Sequence, residues 1–203
     1  GFLGLAKIMG VPTKGYITPD HPVQQEIRAT LEQLTGESLT ADACGTDGCS
    51  IPTYAASLDG FARAFARFVT GEGLDPVRAE AAGRIYEACV KEPFMVAGTE
   101  RFCTDVMNAL NGRALVKTGA EGVFCGAVPE LGIGIALKCD DGATRAAETM
   151  MATVLETLLD LDEDEAKVLD RFVNPPVLTR RDTAAGEIRP NSDFLASLKN
   201  GLS

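Results

Sequence analysis

Residues 113–137, RALVKTGAEGVFCGAVPELGIGIAL, limit the fold more than any other part of the chain. Two apolar runs of strand length, 123–128 and 131–137, are parted only by Pro129 and Glu130, and a shorter run at 113–116 precedes them. Runs that short, broken by turn residues, suit buried strands better than helices. Thr118-Gly119-Ala120-Glu121-Gly122 joins the first to the second and is expected to let backbone amides approach a ligand. Lys117 stands where the first run ends, so an anionic group of a ligand is expected there. A long helical pattern follows over 142–159, in which Ala146, Met150, Val154 and Leu158 form one apolar face. Three strands and a covering helix make one α/β unit.

The rest of the chain reads as helices with clear punctuation. A short apolar helix is expected at 2–9, closed by Gly10 and Pro12. The next begins at Pro22 with Asp20 or His21 at its cap, carries Val23, Ile27, Leu31 and Leu34 on one face, and ends at Gly36. His21 is the only histidine. It suits capping, although imidazole also suits acid/base work near neutral pH. Over 58–69, Leu58, Phe61, Phe65 and Phe68 mark a buried helix face. Asp75 and Pro76 start a helix that runs to about Lys91. Residues 92–98 are expected as an apolar loop in which Phe94 and Met95 line a pocket or simply pack. A helix capped by Thr99 is then expected to run to Leu110 and stop at Asn111-Gly112. The acidic run 162–165 reads as a solvated helix start ending near Phe172. Residues 174–190 read as extended structure and 194–198 as a terminal helical turn.

Length and composition narrow the function. With 203 residues, 45% of them hydrophobic, the chain can bury a core as one domain spanning 1–203. No apolar run approaches the roughly 18–20 residues of a membrane span, so no membrane partner and a cytoplasmic location are expected. A formal charge of −10 with no Lys/Arg cluster argues against nucleic acid. Six cysteines in a chain with its own core are expected as free thiols. Cys44 and Cys49 alone lie among turn residues. There, in ADACGTDGCSIPT at 41–53, Gly45 and Gly48 bracket Thr46-Asp47. Asp47 and Cys49 are one oxygen and one thiol donor for a metal, half of a usual zinc set, and a glycine-rich turn with an inert cysteine explains the same residues.

The Lys117-Thr118-Gly119 triplet resembles the K-T-G element on an edge strand of serine β-lactamases and penicillin-binding proteins. Taken with Asp20-His21-Pro22, Gly45-Thr46-Asp47-Gly48-Cys49-Ser50-Ile51-Pro52-Thr53 and MVAGTERFCTD at 95–105, it makes nearly the whole chain similar to the Rhizobium-type L-asparaginase II family. That resemblance implies a β-lactamase/glutaminase-like α/β fold, an antiparallel sheet with helices on both faces, here incomplete at the N-terminus. It implies hydrolysis of L-asparagine to L-aspartate and ammonia through a serine acyl-enzyme. It gives Lys117 a catalytic role, assigns substrate binding to Asp47, Thr118 and Gly119, and makes Cys49 a ligand of one zinc ion whose other ligands lie ahead of Gly1. The expected assembly is a homodimer. The family's S-x-x-K nucleophile pair and its C-S-G-K-H stretch are absent from these residues, so the chain is expected to be inactive alone.

Overall fold

The computed structural model describes residues 1–201. From the N-terminus, α1 (Phe2–Ile8) and α2 (Pro22–Thr35) lead to a small antiparallel hairpin of β1 (Cys44–Thr46) and β2 (Pro52–Tyr54). The helices α3 (Leu58–Thr70), α4 (Pro76–Lys91), α5 (Pro93–Ala97) and α6 (Phe102–Leu110) follow. Then come β3 (Leu115–Thr118), β4 (Val123–Val128) and β5 (Ile133–Lys138), and α7 (Thr144–Leu158) and α8 (Glu163–Val173). A second hairpin, β6 (Pro176–Leu178) with β7 (Ala184–Glu187), precedes α9 (Ser192–Gly201).

Capping chemistry sets most helix ends. His21 Nδ1 accepts from Val23 N at 3.2 Å while Nε2 reaches Pro12 O at 2.8 Å, so the one histidine serves as the cap of α2. Asp75 accepts from Arg78 N at 3.0 Å at the head of α4. The head of α3 is doubly held: Ser57 accepts from Gly60 N at 2.9 Å, and its own amide and hydroxyl both donate to Glu37. At the other end of α2, Arg63 and Arg67 of α3 donate to the carbonyls of Gln33, Leu34 and Thr35. Those carbonyls lack intrahelical partners, and cations beside them also suit the helix dipole.

The sheet β3-β4-β5 is antiparallel throughout. Its register puts Leu115, Ala127 and Gly134 in one row and Val116, Gly126 and Ile135 in the next. Successive residues face opposite ways, so the rows meet different helices. On one face α3 lies against β5 so closely that a Cβ on Gly134 would sit 1.8 Å from Ala62 O. On the other, a Cβ on Gly126 would stand 3.3 Å from the Met151 Cε of α7. Behind that face lies the main core, where Phe102 meets Phe124 and Phe172 edge-on with centroids 5.2 and 4.7 Å apart. Met107, Leu110, Val116, Met151, Leu155 and Leu169 are fully buried around them. Helices therefore cover both faces of a small antiparallel sheet, and the fold is mixed α/β.

Several expectations shift. Lys117 lies within β3 rather than beyond it. The 92–98 loop contains the short helix α5, and both Phe94 and Met95 point outward. Arg101, not Thr99, holds the cap position of α6, without a side-chain bond. Leu58 is exposed because it opens the helix ahead of the sheet. On α7 the deepest residues are Ala147, Met151 and Leu155, one position on from the expected face, because α8 covers what a sheet-facing helix would leave open. The acidic run is not wholly solvated: Asp162 and Glu165 form a capping box, and Glu165 is buried against Arg113 at 2.8 and 3.0 Å.

Candidate active site

Lys117 sits on an edge strand opposite Cys125. Its exposed amino group donates to its neighbour's carbonyl, Thr118 O, at 2.7 Å. Beside it is a cavity of about 280 Å³ walled by Leu31 and Leu34 of α2, Phe61, Phe65 and Phe68 of α3, and Leu115. Lys117 is the charged residue in this lining. An ammonium group at the mouth of an apolar cavity attracts an anion more strongly than one in open water.

The thiols nearby are no nucleophiles. Burial pushes Cys125 up to about 11, with Lys117 pulling the other way, and burial raises Cys103 and Cys89 also. Each is a small apolar residue at neutral pH. Two glycines of the following turn are committed to the fold. Gly119 N donates to Val123 O at 2.7 Å, so that amide is occupied. Gly122 has φ +67°, and a Cβ there would lie 2.8 Å from Cys139 Cβ, so it is glycine for turn geometry and close packing. Of the amides expected to approach a ligand, that of Gly119 is thus taken up in closing the turn. The Thr118 hydroxyl is 3.4 Å from Gly119 O, a weak bond that leaves it able to meet a ligand.

Asp47 and Cys49 come together in the turn between β1 and β2. Cys49 Sγ donates to Asp47 Oδ2 at 3.0 Å, Asp47 N to Ile51 O at 2.9 Å, and Ser50 N to Asp47 O at 2.8 Å with Ser50 at φ +71°. The Cys49 thiol, then the amides of Gly48 and Cys49, hold the Asp47 carboxyl below the usual carboxylate range. Thr46 and Ser50, on either side of this turn, line a second cavity of about 320 Å³ together with Asp20, Arg28 and Tyr54. Helix α2 borders both cavities, through Gln25 and Arg28 on one and Leu31, Leu34 and Thr35 on the other. Asp47 with Cys49, and Lys117 with Thr118, thus stand beside different cavities.

As metal donors, Asp47 and Cys49 fall short. A closed zinc site takes four ligands, usually thiolate and imidazole. Among the described residues no group of three or more His, Cys, Asp or Glu side chains is placed to hold an ion. The carboxylate and thiol are of the right chemistry but do not fit zinc by themselves.

Sequence reasoning passed over the groups of the second cavity. In the sequence Asp20 stands out only as a cap and within the Asp20-His21-Pro22 stretch, and Arg28 and Tyr54 carry no motif. Their one sequence signal is the turn residues around them. No helix among the described residues is long and apolar enough to cross a membrane. A family model described as L-asparaginase II matches residues 1–190. Comparison with curated proteins gives no match.

Proposed function

The chain belongs to the L-asparaginase II family, and from that membership we propose that it serves the hydrolysis of L-asparagine to L-aspartate and ammonia. The family match over residues 1–190 carries this reading. The fold we propose is the β-lactamase/glutaminase-like one, supported by a K-T-G triplet on an edge strand of an antiparallel sheet covered by helices on both faces.

The reaction is acyl transfer. A serine oxygen attacks the side-chain amide carbon, the carbonyl oxygen becomes an oxyanion, the amide nitrogen takes a proton and leaves as ammonia, and water releases aspartate from the ester. No S-x-x-K spacing occurs in these 203 residues, so this chain is proposed to contribute part of the site and to be inactive alone. Lys117 is the proposed catalytic group. With one N–H on Thr118 O, the ammonium keeps two for a developing oxyanion or the departing nitrogen. Thr118 and Gly119 border that position. Asp47, held as a carboxylate, is a proposed substrate-binding group in the β1–β2 turn. Zinc remains proposed at Cys49, but no step passes through it, since two donors do not make the site.

The test is turnover of asparagine, glutamine and a chromogenic β-lactam by the 203-residue chain and by a longer family protein carrying the same Lys117 and its Ala variant. Asparagine turnover only in the longer protein, cut sharply by Lys117→Ala, supports the reading. Normal turnover by the 203 residues, or indifference to Lys117, refutes that part of it. A second reading, a non-catalytic zinc- or amino-acid-binding module, predicts aspartate binding without hydrolysis in the longer protein too.

A homodimer is proposed as the assembly, with α4 as its contact. Val77, Ala81, Ile85 and Ala88 form an outward apolar stripe at spacings of four, four and three, and Val77 and Ile85 are 78% and 54% exposed. Along one flank run Glu80, Arg84, Glu87 and Lys91, exposed and without ion pairs among the described residues. Laid antiparallel on itself, this helix sets Glu80 against Lys91 and Arg84 against Glu87, as an isologous two-fold contact requires.

A further inference from the structure

The cavity between α2 and the β1–β2 hairpin carries charges of both signs without pairing them to each other. Asp20 makes no side-chain hydrogen bond or ion pair among the described residues. Arg28 donates through Nε to Glu32 at 3.2 Å, and Glu32 is kept in place by Leu39 N at 2.8 Å. That bond uses one edge of the guanidinium and leaves the two terminal nitrogens free to grip a carboxylate. Both residues line the same cavity of about 320 Å³, roughly ten water volumes at ~30 Å³ each, enough for a small amino acid. Thr46 and Ser50 add hydroxyls to the lining. Tyr54 adds a phenol that burial, then the nearby Cys44, keeps in its protonated, donating form.

We propose that this cavity binds the zwitterionic end of an α-amino acid, with Arg28 on the α-carboxylate and Asp20 on the α-ammonium. An unpaired carboxylate and a half-used guanidinium lining one small cavity suit a ligand that carries both a cationic and an anionic group. A simple anion would leave Asp20 opposed, and a simple cation would leave Arg28 opposed. The Asp47–Cys49 turn borders the cavity through Thr46 and Ser50, so the ligand's side chain would extend toward that turn. The inference rests on the asparaginase reading only for which amino acid is expected, asparagine or its product aspartate.

The test is calorimetric titration of the 203-residue chain with four probes: L-asparagine, L-aspartate, succinamate, which lacks the α-amino group, and 3-aminopropanamide, which lacks the α-carboxylate. The two amino acids should bind saturably, and each truncated probe about 10-fold or more weaker, as expected for loss of a charge-assisted hydrogen bond. Asp20→Asn should abolish the preference for asparagine over succinamate, and Arg28→Gln the preference over 3-aminopropanamide. Arg180→Gln, in the exposed turn between β6 and β7, should change none of these affinities. No saturable binding of either amino acid, or equal binding of all four probes, would overturn the inference. The probe series on the unmodified chain decides the matter even if a variant fails to fold. Intact binding in a family protein that turns over no asparagine would sink the hydrolase reading and leave this one standing.

Discussion

Replacing Gly134 with alanine tests how α3 meets the sheet. The added Cβ would sit 1.8 Å from Ala62 O, 2.7 Å from Ala66 N and 2.8 Å from Ala62 C, all of them backbone atoms. A carbon and a carbonyl oxygen come no closer than about 3.3 Å, so α3 would have to recede by about 1.5 Å. No side chain can turn aside to relieve this. Overpacking of a core costs about 1–3 kcal/mol and sometimes more, and a backbone clash of this depth belongs at or above ~3 kcal/mol. For a chain of this size that is a drop in Tm of about 6–12 °C. Gly126→Ala is the comparison: its Cβ meets Leu115 O at 3.0 Å and the flexible Met151 at 3.3 Å, so it should cost about 1 kcal/mol. Gly83→Ala, within α4 with nothing within 4 Å, should stabilise by about 0.5–1 kcal/mol. Urea and thermal unfolding should rank the three in that order. A Gly134→Ala chain that melts with the wild type would refute the direct helix-on-strand contact, and with it the wall of the Lys117 cavity.

Breaking the Arg113 pair by Arg113→Met should cost about 2–3 kcal/mol, because it strands the buried Glu165 carboxylate, whereas Glu130→Gln at the exposed end should cost under about 1 kcal/mol; equal losses in urea unfolding would contradict the difference in burial. Hydrogen bonds from Ser57, first its hydroxyl and then its amide, hold the Glu37 carboxyl below its ordinary value, so its contribution is present above the unfolded carboxylate range and lost as pH falls through the folded value. Glu37→Gln should therefore flatten the acid limb of a Tm-against-pH profile, and an unchanged limb would contradict the cap network. Burial, the first cause for both, raises Glu148 and Glu156, which act in the opposite sense: their contribution is present at low pH and fades as pH climbs through their raised values. Ile85→Asp should convert a dimer to a monomer in sedimentation without changing the circular dichroism, and a dimer that survives it does not use α4. Zinc titrated into the 203-residue chain should bind weakly and lose that binding in Cys49→Ser, whereas tight binding indifferent to Cys49 would remove this residue from the ligand set.

Local chemistry made many elements legible. Pro22 behind His21, Pro76 behind Asp75, and Asn111-Gly112 each mark a boundary through backbone geometry that needs only near neighbours. Strand β4 coincides with its apolar run, 123–128. The errors fall where distant parts of the chain intervene. Residues 92–98 look like a loop until Pro93 is buried and supplies the first turn of α5. Glu165 looks like one acid in a solvated run, yet Arg113, 52 positions earlier, draws it inward.

The candidate site divides in the same way. Lys117 and the Asp47–Cys49 turn stand out as short motifs, because unusual residues at fixed spacing are visible in one dimension. Arg28 does not, since it belongs to no motif, and only the seating of the hairpin on α2 puts it and Asp20 around one cavity. Periodicity, caps and turn residues thus determined the helices and the strands, while the family was legible only through the resemblance of a few quoted stretches. The closeness of α3 to Gly134, the burial of Glu165 and the separation of two cavities were decided by tertiary packing, because they depend on distances between residues whose order along the chain carries no record of them.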